Sequence, residues 1–442
     1  VKAPRPVLYL HYEQILNLYV IDLLTKPIVL MKSLIYILIL LSCFSYSAIA
    51  QPVVYTPSLN PDRILLNWSG DPATTATVTW RTSAEAVGSK AEIALADPHP
   101  DFDENETDYQ AETQLVEHED HQFAYHRVTF RGLRPNTLYA YRVGNDAHRS
   151  AWLQFKTAGT GEDTLSFIFL GDAQNRLLDK WSRAVRAAYR DMPDAAFMLH
   201  AGDLINHADE DKEWGEWFEA GSFIHSTIPS LSAVGNHEYI KNEAGEKVAF
   251  SKFWDPQFHF PANGPAGMEN RVYYLDIQQI RLVVLNSNKN IKQQAAWLEE
   301  VLKTNPKKWL IVSFHHPIYS VSRGAINEGI YQHWKPLLEK YKVDLVLQGH
   351  DHIYGRTRGE KPTAGRHRPV YVVSVSGPKM YDRHPEALPM DVIVEKQQLY
   401  QTLHIAGDRL VYRAKSVDAK LVDSFELQKT PDGNILTSAF EK

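Results

Sequence analysis

Five short apolar runs in this sequence each end on side chains that can hold a cation or move a proton. Ser166–Leu170 runs into Gly171-Asp172-Ala173-Gln174, and Ala196–His200 is followed, after Ala201, by Gly202-Asp203-Leu204-Ile205-Asn206. Ser232–Val234 leads to Gly235-Asn236-His237-Glu238, Trp309–Phe314 to His315-His316-Pro317, and Val343–Leu347, through Gln348, to Gly349-His350-Asp351-His352. Singly, each has an ordinary explanation. A Gly-Asp pair after a strand is a turn or a helix cap, Asn236 can stabilise its own turn, and His-x-His puts two imidazoles on one side of a strand with or without metal. Coincidence does not supply the joint order. Four of the five exits carry Gly immediately before the polar residue, where the chain must turn sharply and approach a ligand closely. Hard carboxylate and amide oxygens mixed with imidazoles suit Fe, Mn or Zn, whereas an all-oxygen cage would suit Ca or Mg.

The apolar runs themselves read as strands buried on both faces, with the ligand-bearing residues at their carboxyl ends, where open α/β sheets collect their ligands. Leu282–Asn286 is a further run of this kind. Leu177–Tyr189 and Gln293–Lys303 space their apolar residues at three and four, as helices do, so strands alternate with helices and the sheet is covered. From Leu399 the alternation Tyr400, Leu403, Ile405 and Leu410, Tyr412 returns to strand period and is expected to finish the second of two packed sheets. Ahead of this region, residues 62–157 show only short alternating segments, such as Thr77–Arg81, His126–Phe130 and a closing Trp152–Lys156. The run from Leu133 to Gly144 places a Pro turn before a strand with Tyr139 and Tyr141, as at the corner of an immunoglobulin-like sandwich. It resembles a fibronectin type III module.

Bulk properties fit a folded enzyme of two domains: 442 residues, 44% apolar, 23% charged and a net charge of −6. No basic stripe interleaved with aromatics offers a footprint for nucleic acid, so small or peripheral substrates are expected. Met31, Lys32, the apolar stretch Leu34–Leu41 and Ala48-Ile49-Ala50 before Gln51 have the layout of a cleavable secretory signal. This predicts a signal peptide over 31–50, upstream or mis-called sequence over 1–30, no stable membrane span in the mature chain, and a periplasmic or extracellular protein. The only cysteine, Cys43, lies in that leader, and a lipid anchor there is the weaker reading. Any metal is then left to His, Asp, Asn and Gln.

The ordered set of exits resembles the calcineurin-like metallophosphoesterases and, with a sandwich in front, the purple acid phosphatases. The implied architecture is a fibronectin III-like β-sandwich over 52–158, then an α/β metallophosphoesterase domain over 164–442 with two packed mixed sheets flanked by helices. The resemblance implies that Asp172 and His352 bind a first metal, that Asp203 bridges two, and that Asn236, His315 and His350 bind the second. It implies two divalent or trivalent ions (Fe, Mn or Zn) and hydrolysis of phosphate monoesters by a metal-bridging hydroxide attacking in line. His237 is the candidate for protonating the leaving alcohol, its plainer role being to orient a neighbour, and His316 is a candidate contact to the phosphate.

Two positions depart from the family. The tyrosine expected three residues after the bridging aspartate is Asn206, which puts the purple colour and a preference for Fe(III) in doubt. Gln174 stands where the family usually has glycine, and either gives a neutral oxygen to the first metal or hydrogen-bonds the bridging hydroxide. The wall loops, Glu238–Arg271 and Tyr319–Tyr331, decide between monoesters and the alternatives of a phosphodiester or a nucleotide. A reading of another class is a catalytically inactive binding or surface-attachment protein.

Overall fold

The computed structural model describes residues 55–359, 368–386, 388, 390–431 and 433–440. The predicted leader, including Cys43, lies outside the described residues. Residues from Tyr55 onward form one compact unit.

Strands β1 (Asp62–Asn67), β2 (Thr75–Ser83), β5 (Glu112–His118) and β6 (His121–Arg131) make one antiparallel sheet in the order β1-β2-β6-β5. Strands β3 (Lys90–Leu95), β4 (Thr107–Gln110), β7 (Leu138–Gly144) and β8 (Leu153–Lys156) make the other, in the order β4-β3-β7-β8. Inward residues of both, among them Val78, Trp80, Ile93, Phe130, Tyr141 and Phe155, form the core between them. At the corner, Tyr139 Oη accepts the N–H of Arg134 at 2.9 Å, which fixes the turn before β7. Tyr141 serves a different purpose, since its hydroxyl donates to Ser226 O at 2.6 Å, in the next part of the chain.

The sandwich is welded to that part by more than one bond. Arg81, fully buried, pairs with Asp62 at 2.6 Å and Asp211 at 3.3 Å, and Arg63 pairs with Asp211 at 2.7 Å. Leu65, Trp68, Phe123 and Tyr125 join the same core as Phe197, Trp214 and Phe253.

The remainder holds two seven-stranded sheets packed face to face. The first contains β9 (Leu165–Leu170), β10 (Met198–His200), β11 (Ser230–Ser232), β21 (Leu399–Ala406), β22 (Arg409–Ser416), β23 (Leu421–Thr430) and β24 (Gly433–Ser438), ordered β11-β10-β9-β21-β22-β23-β24. Its first three strands are parallel and the rest antiparallel. A short hairpin, β12 (Tyr239–Lys241) and β13 (Lys247–Phe250), follows β11. The second sheet contains β14 (Tyr273–Ile277), β15 (Ile280–Val284), β16 (Trp309–Ser313), β17 (Leu345–Gln348), β18 (Tyr354–Thr357), β19 (Val370–Val373) and β20 (Val392–Val394), ordered β14-β15-β16-β17-β19-β18-β20. The C-terminal strands therefore extend the sheet that begins with β9, not a separate second sheet. Strand period reports which faces are buried and is silent on the partner strand.

Phe167, Phe169 and Leu199 from the first sheet meet Leu282, Ile311 and Leu345 from the second in one apolar layer. The helix Ile291–Lys303 seals the outer face of the second sheet with Leu298, Val301 and Leu302. The expected helix over 177–189 opens as one π-helical turn, Leu177–Trp181, before the α-helix Ser182–Asp191.

Candidate metal centre

Asp172 leaves β9, Asp203 follows β10, Asn236 follows β11, His315 follows β16, and His350 and His352 follow β17. Glycine lets these loops touch. Gly202 has φ 91°, and a Cβ there would lie 2.4 Å from Gly235 N, while one on Gly235 would lie 2.2 Å from Asp203 Oδ1. Asp203, His350 and His352 themselves adopt left-handed φ of 52°, 74° and 49°, a strain of about 1–3 kcal/mol each that clusters where function requires it.

His315 is the hub. Its Nδ1 lies 2.9 Å from Ala201 O, so in the neutral ring that nitrogen is the donor and Nε2 carries the lone pair. Nε2 then faces Asp203 Oδ2 at 3.1 Å, Asn236 Oδ1 at 3.2 Å and His350 Nδ1 at 3.1 Å. Such a ring of acceptors needs positive charge at its middle. Burial alone would lower the His315 pKa, yet the carboxylates of Asp203 and Asp172 raise it to about 9, the same demand expressed as a proton. One donor atom each from Asp172, Asp203 and His315 lie within 4.8 Å of one another, and the same holds for His315, His316 and His350. Asp172 Oδ1 and Gln174 Oε1 are buried and accept no hydrogen bond, a costly state that a cation would relieve. The donor set therefore fits metal at more than one point.

Charge states agree. Burial would raise the Asp203 pKa, but His315 and then His237 hold it well below the carboxylate range. Burial, abetted by Asp203, raises that of Asp172. Burial lowers the pKa of His316, His350 and His352, the last to about 3, which keeps these rings neutral and their lone pairs available to a metal.

The remaining predicted residues fall around this cluster. His352 belongs to neither triad; its Nδ1 is 3.2 Å from Lys379 O and its ring meets Tyr381 edge-on at 4.8 Å. His237 lies with Nδ1 2.6 Å from Asn206 O and Nε2 4.0 Å from Asp203 Oδ2, and burial lowers its pKa. His316 holds Nδ1 2.8 Å from Ser287 Oγ, and its ring lies 4.3 Å from that of His350. Gln174 Nε2 donates to Asn206 Oδ1 at 3.1 Å.

Two acids escaped the sequence reading although both stand inside the motifs. Glu238, fully buried, accepts the N–H groups of Asp203 at 3.0 Å, Leu204 at 2.7 Å and Gly235 at 2.6 Å, tying two ligand loops to one carboxylate. Asp351, also fully buried, accepts from Val321 N at 2.6 Å, Ser322 N at 3.2 Å, Ser320 Oγ at 2.8 Å and the Arg323 guanidinium, and so fixes the loop after His316. A third cluster, wholly acidic, comprises Glu92, Glu106 and Asp108 and sits on the sandwich among Lys90, Arg142 and Arg149, which neutralise it.

Comparison with known proteins agrees with this architecture. Residues 165–354 match the profile described as calcineurin-like phosphoesterase, and residues 61–157 match the purple acid phosphatase N-terminal domain. The chain is 28% identical over 239 residues to purple acid phosphatase 21 of Arabidopsis thaliana, across 52% of this chain and 53% of that relative, so it spans about half that relative's length. Acid phosphatase type 7 of Homo sapiens is 25% identical over 427 residues, across 86% of this chain and 93% of the relative. Another Arabidopsis thaliana relative, 26% identical across 53% of this chain and 43% of its own length, bears the name "Probable inactive purple acid phosphatase 24". The fold matches that of a purple acid phosphatase from yellow lupin (Lupinus luteus) seeds with a TM-score of 0.71 at 18% identity, over 86% of this chain and 78% of that one. Residues 165–354 therefore belong to the calcineurin-like phosphoesterases, with a purple acid phosphatase N-terminal domain ahead of them over residues 61–157.

Proposed function

We propose that the chain is an exported phosphoesterase that hydrolyses phosphate monoesters at a two-metal centre. The observation that carries this reading is the convergence on His315 Nε2 of Asp203 Oδ2, Asn236 Oδ1 and His350 Nδ1, all within 3.2 Å, beside the unsatisfied oxygens of Asp172 and Gln174. Asp203, Asn236, His315 and His350 would hold one cation and Asp172, Asp203 and His352 the other, with Gln174 Oε1 as a neutral donor. Bound there, a metal pair would supply Lewis-acid polarisation of a phosphate and a water made acidic enough to act as nucleophile near neutral pH. Mn, Zn or Fe(II) suits a first site that lacks a phenolate.

The chain's own residues supply the rest. Glu238 and the glycines hold the donors in place before substrate arrives. The His237 Nδ1–H donates to Asn206 O, so Nε2 is the atom that can carry a proton to the leaving alcohol. That transfer requires the imidazolium, and burial lowers the His237 pKa, so the acid role operates in the acid range. Export rests on the predicted leader. No helix among the described residues is long and apolar enough to cross a membrane.

Replacing Asp203 with Ala is expected to abolish release of p-nitrophenol from p-nitrophenyl phosphate and to lower metal content per chain. Undiminished turnover by that variant would end the proposal. Faster turnover of the bis ester than of the monoester would favour phosphodiester substrates on the same centre, and metal loss with no turnover in the parent protein would favour the inactive binding role.

A further inference from the structure

A small cavity of about 120 Å³ opens beside the candidate metal centre, lined by His316, Ser320, Arg323, Ile326, Asn327 and His350. It shares His350 with the donor ring around His315, so whatever fills it lies next to the second cation position. That volume leaves room for a tetrahedral oxyanion.

Arg323 is the only charged side chain on its wall that carries a fixed charge. Its Nη1 is engaged by the buried carboxylate of Asp351 and by Ser322 Oγ at 3.4 Å. Among the described residues, Nε and Nη2 make no hydrogen bond, and the side chain is 43% exposed. Half of the guanidinium is thus held rigid while the other half keeps its donors free, the arrangement by which Arg clamps phosphate. The positioning is independent of Arg323 itself. Asp351 also takes Ser320 Oγ and the N–H groups of Val321 and Ser322, so the loop stays in place if the guanidinium is removed.

We propose that this cavity, with Arg323 as its clamp, is a subsite for a second phosphate, so that the preferred substrates are small alcohols carrying two phosphate groups. The inference rests on the phosphoesterase reading. One phosphate occupies the metal centre and is cleaved; the other sits against Arg323 and fixes the orientation of the carbon skeleton.

Steady-state phosphate release from glucose monophosphate and glucose bisphosphate tests this on the metal-loaded full chain, with isothermal titration of both sugars alongside. A bidentate Arg–phosphate contact predicts a kcat/KM ratio of at least about tenfold in favour of the bisphosphate, carried mainly by KM. Arg323→Ala should bring the ratio within about threefold, and Arg323→Lys, which keeps the charge but not the fork, should fall between. A wild-type ratio near one, or a ratio that Arg323→Ala leaves unchanged, overturns the subsite and leaves the phosphoesterase reading intact. If the wild type releases phosphate from neither sugar, the phosphoesterase reading is what fails. Binding then decides the subsite: tighter, Arg323-dependent binding of the bisphosphate upholds it, and equal binding removes it.

Discussion

Glu238→Gln separates a carboxylate that merely fills space from one that holds two ligand loops in register. Its Oε2 accepts from Asp203 N at 3.0 Å and Gly235 N at 2.6 Å, and its Oε1 accepts from Leu204 N at 2.7 Å. Gln keeps one acceptor oxygen and turns an NH₂ toward the remaining donor or donors. At least one bond is lost and its N–H left unsatisfied, and a hydrogen bond to a charged acceptor contributes about 1.5–3 kcal/mol. Against this, burial and then the nearby Asp203 carboxylate raise the Glu238 pKa, so removing the charge returns part of the loss. The net expectation is a destabilisation of about 1–3 kcal/mol together with a fall in metal affinity of about 10–100-fold, as when a group orienting a ligand is removed. Urea unfolding followed by tryptophan fluorescence reads the first, because Trp181, Trp214 and Trp217 are fully buried in the folded chain. Elemental analysis after dialysis reads the second. An unchanged midpoint with an unchanged metal complement would show that Glu238 does not hold the loops.

Asp211→Ala strips the carboxylate partner from Arg63 at the junction between sandwich and catalytic sheets, while Arg81 keeps Asp62; leaving the buried Arg63 uncompensated should cost about 3–5 kcal/mol and expose the junction to limited proteolysis. Acid should weaken the fold, as read by urea titrations at several pH values. Burial lowers the pKa of His200 and His225 to about 3 and of His126 to about 4, while the unfolded rings titrate near 6.5. The unfolded chain therefore binds protons that the folded one refuses, stability is full above that ordinary value, and each ring removes up to about 1.4 kcal/mol per pH unit as the pH falls toward its folded value. Stability that is flat from neutral pH down to 4 would contradict the neutral, buried assignment of these rings. Iron-loaded protein should lack an intense violet band, since Asn206 offers no phenolate; a visible spectrum checks this.

The site was legible in the sequence where backbone grammar announces it. Apolar runs that end in Gly and a polar residue told where Asp172, Asp203, Asn236 and His350 leave their strands, and the fold brings those exits together. Glu238 and Asp351 were not legible as supports, because a carboxylate that caps backbone N–H groups of another loop reads like any surface acid until the backbone that it faces is known. The paired tyrosines of β7 were visible, but only three dimensions separate Tyr139, which closes its own corner, from Tyr141, which reaches Ser226. Sheet membership was hidden for a related reason. Residues 399–438 carry a clear strand period, yet alternation is the same whichever neighbour is joined.

β9, which delivers Asp172, is sandwiched between β10 and β21, and the paired positions Ser166 and His404 are 238 residues apart. A chain emerging from the ribosome exposes one edge of β9 until nearly all of the catalytic region has been synthesised, so the pocket is assembled late and as a unit. Premature termination before β21 would leave an open strand edge beside the first aspartate, a template for aggregation and a poor place to hold a cation.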